Sequence, residues 1–82
     1  MATVAMLFGI IVQIYFNEHN PPHIHAWFSG KSASFYISNG EMMEGAFPKA
    51  QARIVKDFIL CYQKELMEMW DTKKTSMLER KS

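Results

Sequence analysis

All three histidines of this 82-residue chain, His19, His23 and His25, fall in the stretch Asn17-Glu18-His19-Asn20-Pro21-Pro22-His23-Ile24-His25, on either side of a diproline step. Imidazole is the side chain whose unperturbed pKa lies nearest neutrality, and its neutral form is a ligand for zinc and related divalent ions. Two catalytic chemistries follow. In the first, His19, His23 and His25 hold a divalent metal such as zinc, with Glu18 as a fourth or supporting group, since a His-x-His pair on a strand aims both rings at one side. In the second no metal takes part, and one histidine acts as base while another acts as acid, for instance in cleaving RNA. The plainer alternative is that His23 and His25 bond to loop carbonyls and to Glu18 and only fix the loop.

Each chemistry asks for more than imidazole. A metal site needs His19 to fold back across the diproline step, and the chain lacks the thiolates that make zinc signatures specific. Phosphate cleavage needs positive charge near the pentavalent phosphorus, for which Lys31, Lys49 and Arg53 are the candidates. The chain has no Gly-rich phosphate loop, and no Ser or Cys stands beside the histidines in sequence. A third reading needs no chemistry: Trp27 and Tyr36, with the histidines and Glu18, form a stacking or hydrogen-bonding face of a sheet. Against it, Trp27 and Tyr36 need do no more than cover their cross-strand neighbours.

The elements that must position these residues can be read from periodicity. Gly9 to Phe16 is rich in β-branched and aromatic residues and, apart from Gln13, apolar on both faces, as in a central strand. In His23 to Phe28 the residues Ile24, Ala26 and Phe28 alternate with His23, His25 and Trp27, so a strand here turns its histidines and Trp27 away from an apolar face. Ser29-Gly30 reads as a hairpin turn into a strand over Lys31 to Ser38, and Asn39-Gly40 as a second turn into a short strand over Glu41 to Glu44. Pro48 suits the first turn of a helix. From Lys49 to Asp71 there is no Gly or Pro, and Val55, Phe58, Ile59, Tyr62, Leu66, Met69 and Trp70 recur at spacings of three and four, the stripe of an amphipathic helix. Such a helix would be about 34 Å long if straight, against about 20 Å for a six-residue strand. Either its end, with Met67, Met69 and Trp70, overhangs the sheet and meets a partner, or the helix bends and packs them into the core. Cys61 lies mid-helix, where burial as a small hydrophobe is the expectation.

The expected architecture is therefore α+β: an antiparallel sheet of three to four strands in a meander, with one long C-terminal helix packed on one face. It forms a single domain over residues 1–71, followed by a polar, flexible tail over residues 72–82. A 49% apolar content supports a packed globule and excludes a disordered chain. One cysteine excludes a disulfide scaffold, which fits a reducing cytoplasm. The apolar run from Val4 to Val12, broken by Gly9, is too short to span a membrane, so no membrane association is expected. Residues 1–47 carry one lysine against three glutamates and the remainder eight basic against five acidic residues. That mild asymmetry permits nucleic-acid binding without demanding it.

Phe8-Gly9-Ile10-Ile11, the block from Tyr15 to His25, the Gly45-x-x-Pro48 step and Glu65-Leu66 with Trp70 together resemble the small bacterial domain-of-unknown-function family numbered 4160. The resemblance runs from about Val4 to Asp71. It implies no established activity. Members are often encoded beside another small protein, in an arrangement similar to toxin and antitoxin pairs, and some are labelled transcriptional regulators. It therefore implies a binding component acting through a small protein partner or a homodimer, with nucleic acid as a further ligand. The rival is a histidine-based hydrolase or ribonuclease, with or without metal. Carried over as site residues are Glu18, His19, His23 and His25. The chain departs from the family pattern at Ala50, where an arginine is usual, and at Tyr62, where a histidine is common.

Overall fold

Alternation along the strands decides which side of the sheet is covered. The computed structural model describes residues 2–15 and 19–81. Six strands, β1 (Ala2–Leu7), β2 (Ile10–Ile14), β3 (His23–Phe28), β4 (Lys31–Tyr36), β5 (Met42–Gly45) and β6 (Glu79–Lys81), form one sheet in the order β5-β4-β3-β2-β1-β6. Two helices, α1 (Lys49–Cys61) and α2 (Gln63–Thr72), lie between β5 and β6 in sequence. Ile10, Val12 and Ile14 of β2, Ile24 and Ala26 of β3, and Ala33 and Phe35 of β4 form one core with Val55, Phe58 and Ile59 of α1 and Leu66 and Met69 of α2. No helix among the described residues is long and apolar enough to cross a membrane.

The α+β class is as expected, and the finer architecture is not. The sheet has six strands rather than three or four. It is mixed, because β6 runs parallel to β1 while all other pairs are antiparallel. β1 was hidden in the sequence because its turn into β2 is Phe8-Gly9, with φ of 49° and 83°. A bulky phenylalanine is an uncommon occupant of the left-handed region, so nothing in its residue type announces a turn. Ser29-Gly30 takes the same conformation, as its residue types lead one to expect. The β4–β5 connection is wider than a two-residue hairpin. Gly40 N–H donates to the Tyr36 carbonyl at 2.8 Å, and the Asn39 side-chain carbonyl accepts from Glu41 N–H at 2.9 Å. The tail expected to fray instead supplies β6, its entry fixed by Leu78 N–H donating to the Val4 carbonyl at 2.7 Å.

The long helix is broken at Tyr62, whose φ of −112° and ψ of 25° end α1 and begin α2. No Pro or Gly causes the break. Gln63 Nε2 donates to the carbonyls of Ile37 (2.8 Å) and Ser38 (2.6 Å), tying the start of α2 to the end of β4. A straight helix of about 34 Å would exceed the molecule's longest dimension, 30 Å. The bend keeps α2 on the sheet, so Met69 is buried while Met67 and Trp70 pack partly buried against the core. Of the two alternatives for Met67, Met69 and Trp70, the bent helix with these residues packed on their own chain is the one present. Cys61 is exposed at the end of α1, not buried.

Candidate functional site

Strand register arranges the uncovered face in rows. Met6, Ile11, Trp27 and Ser32 lie side by side across β1 to β4; one step along, Thr3, Gln13, His25, Ser34 and Glu44 do the same from β1 to β5. The first row is largely apolar and exposed, Ile11 at 37% and Trp27 at 42%. The second is polar and cross-linked. Gln13 Nε2 donates to Thr3 Oγ1 at 3.3 Å, and Gln13 Oε1 accepts from Trp27 Nε1 at 2.9 Å and from the Tyr15 hydroxyl at 3.5 Å. One carboxamide therefore anchors an exposed indole and a half-buried phenol. Tyr15 continues to the His25 ring, centroid to centroid 4.3 Å, and His25 Nδ1 lies 3.3 Å from Ser34 Oγ. His25, Trp27, Ser34 and Glu44 line a shallow groove of about 420 Å³.

His23 belongs to a different environment. Its Nδ1 is 2.8 Å from the Pro21 carbonyl, which only accepts, so Nδ1 carries the proton. The ring is 5% exposed and touches Trp70 of α2 at 5.2 Å and His25, edge-on, at 5.2 Å. The diproline step thus holds His23 through a backbone carbonyl.

The sequence-derived candidates separate accordingly. His25 and Trp27 occupy the uncovered face. Tyr36 stands opposite His23 across β3 and β4 and is half-buried. His19 is exposed on the loop that carries the cis Asn20–Pro21 peptide. Glu18 lies outside the described residues. Among the described residues no three His, Cys, Asp or Glu side chains converge closely enough to hold a metal ion. Arg53, a candidate for phosphate charge, is paired instead with Asp57 at 3.3 Å along α1. Four members of the polar row, Thr3, Gln13, Ser34 and Glu44, were not singled out. The signal for Ser34 was present: a two-residue turn at Ser29-Gly30 pairs Phe28 with Lys31 and hence His25 with Ser34.

Tyr62, the position where the family pattern has histidine, is far from this face in its contacts. It packs on Phe58 at 5.1 Å beside Glu79. Burial, and then the Glu79 carboxylate, hold its hydroxyl above the ordinary 10.0; the hydrogen bond and charge of Glu79 likewise hold Lys81 above 10.5.

Comparison with known families gives one match: a family model described as Domain of unknown function (DUF4160) aligns with residues 9–71. No curated protein and no solved structure matches the chain. The aligned span runs from the turn before β2 to the end of α2 and leaves out β1 and β6.

Proposed function

Because this chain belongs to the DUF4160 family, whose description states no activity, we propose from the uncovered face itself that the protein is a binding component. It holds a partner protein against the face built on Gln13, His25 and Trp27, within a bacterial two-gene module resembling a toxin and antitoxin pair. The observation that carries this reading is Trp27: an indole 42% exposed, yet positioned by a 2.9 Å bond to Gln13. Exposing so large an apolar group costs solvation, and tying it down costs rotamer freedom, so an ordered, solvent-facing tryptophan is the usual anchor of a protein contact. Nucleic acid is the secondary ligand. Base stacking on Trp27 is feasible, but Glu44 on the same face and a net charge of +1 offer little phosphate attraction. The test is co-purification with the protein encoded alongside: Trp27→Ala and His25→Ala weaken capture while leaving the circular dichroism spectrum and melting curve intact. Undiminished capture by both folded variants defeats the proposal.

One observation favours the rival hydrolase. The 3.3 Å approach of Ser34 Oγ to His25 Nδ1 is the pairing of a hydroxyl nucleophile with its base. Ser34 is only 3% exposed, however, so an acyl or phosphoryl group has poor access to it. Turnover of an activated ester or of RNA that Ser34→Ala abolishes in a folded variant would support this reading over the first.

A further inference from the structure

We propose that the uncovered sheet face is closed by the same face of a second copy of this chain, about a twofold axis that runs along the strands between β2 and β3. This deepens the partner-binding reading and rests on it, by naming the occupant of that face.

The apolar residues lie where such an axis needs them. Ile11 and Trp27 are direct cross-strand partners on the two central strands, and both are exposed. Rotation about the axis lays β3 of one copy over β2 of the other, so each Trp27 meets an Ile11 across the interface. The neighbouring polar row arrives with its demands already met, because the Gln13 carboxamide is bonded to Thr3, Trp27 and Tyr15 and Ser34 is bonded to His25. Covering satisfied polar groups costs far less than covering unpaired ones.

Charge fixes the orientation. The two edges of the face have opposite sign: Arg80 of β6 is in register with Met6, and Glu44 of β5 is in register with Ser34. Arg80 and Met6 also share a groove with Ile11, as Glu44 does with His25 and Trp27, so both charges border the same uncovered face. An axis along the strands places β5 over β6 of the other copy and so sets Glu44 and Arg80 on facing edges twice, one row apart along the strands; an axis across the strands would place like edges on like. Sheets stack about 10 Å apart and the rows lie about 7 Å apart, a diagonal of about 12 Å that an extended arginine and glutamate span together. Six strands at about 4.8 Å spacing give a face roughly 24 Å wide and about 17 Å along the strands. That is small for an obligate dimer, so the association is concentration-dependent.

The test is light scattering or sedimentation of the full chain from low micromolar to several hundred micromolar, each variant first shown to melt like the wild type. The wild type passes from monomer to dimer over this range, and Ile11→Glu, an exposed substitution, stays monomeric. Arg80→Glu and Glu44→Arg each raise the dimer dissociation constant about tenfold, and the double reversal returns it towards the wild-type value. A wild type that is monomeric throughout overturns the proposal, as does a dimer indifferent to Ile11→Glu or one that the double reversal fails to recover. If the wild type is monomeric while Trp27→Ala still loses the co-purifying protein, the second copy alone is excluded. If Trp27→Ala also retains that protein, the partner-binding reading falls with it.

Discussion

The rings of His23 and Trp70 meet with their centroids 5.2 Å apart, and this contact seats His23 against α2 while His25 lies on the uncovered face. His23 is held by Trp70 on one side and by the Pro21 carbonyl through Nδ1. His25, two residues on, is aligned with Gln13 and Ser34 on the uncovered face. The two histidines should therefore respond differently to truncation. His23→Ala loses a buried hydrogen bond and the packing of an aromatic ring, about 2–3 kcal/mol of stability. His25→Ala is expected to lose less, about 1 kcal/mol, because its side chain is half-exposed on the uncovered face. Urea unfolding of the two variants checks the order, and an equal loss for both would contradict the division.

Gly45 should tolerate no side chain. Its φ is +100°, and a Cβ there would lie 2.6 Å from the Ser32 carbonyl oxygen and 2.7 Å from Ala33 Cα, both backbone atoms that cannot give way. Gly30, with φ +78° and open space around it, provides the control. Gly30→Ala is expected to cost about 1 kcal/mol from backbone strain alone, and Gly45→Ala about 2–4 kcal/mol with loss of β5 pairing. Amide exchange of Ser32 to Ser34 in Gly45→Ala reports the detachment of β5 directly.

Stability should decline at alkaline pH through the contacts that dock β6. Tyr62 and Lys81 both bind their protons more tightly in the folded chain than in the unfolded one. Their contribution is complete below the ordinary values of 10.0 and 10.5 and is lost as pH rises through the raised ones. Glu79, 2.8 Å from Lys81 Nζ, raises both values, so Glu79→Gln should make the alkaline loss shallower. Unfolding midpoints from neutrality to about pH 11, compared between wild type and variant, decide this.

Metal removal should leave the melting curve where it is. Among the described residues no three His, Cys, Asp or Glu side chains converge on one point. The expected result is no stoichiometric zinc by elemental analysis and no shift on chelation. A metal retained through purification, with a melt that falls when it is stripped, would restore the three-histidine centre.

What the sequence made legible follows from how local each signal is. The alternation in His23 to Phe28 identified β3 and set Ile24 and Ala26 opposite His25 and Trp27, but it did not foresee that His23 is buried against Trp70 of α2; Ser29-Gly30 carried the register that sets His25 against Ser34. Phe8 concealed the first hairpin because its turn conformation is imposed by the strands on either side and not by its own type. The break at Tyr62 was unreadable for a related reason: no Pro or Gly marks it, and the bonds that hold Gln63 just past it reach Ile37 and Ser38, some 25 positions away. Glu79 to Lys81 offers three charged residues and no pattern, so only its parallel pairing with β1 makes it a strand.

The claim on which the account turns is that the molecule binds through the Trp27 side of its sheet and not through its helices. Titration calorimetry against the co-purifying protein, with Trp27→Ala set beside Leu60→Ala, measures this most directly, since Leu60 of α1 is equally exposed on the helical side. The account predicts affinity at least about tenfold weaker for Trp27→Ala, a loss of roughly 1.4 kcal/mol, and unchanged for Leu60→Ala. Wild-type affinity in Trp27→Ala, or a loss confined to Leu60→Ala, would contradict it.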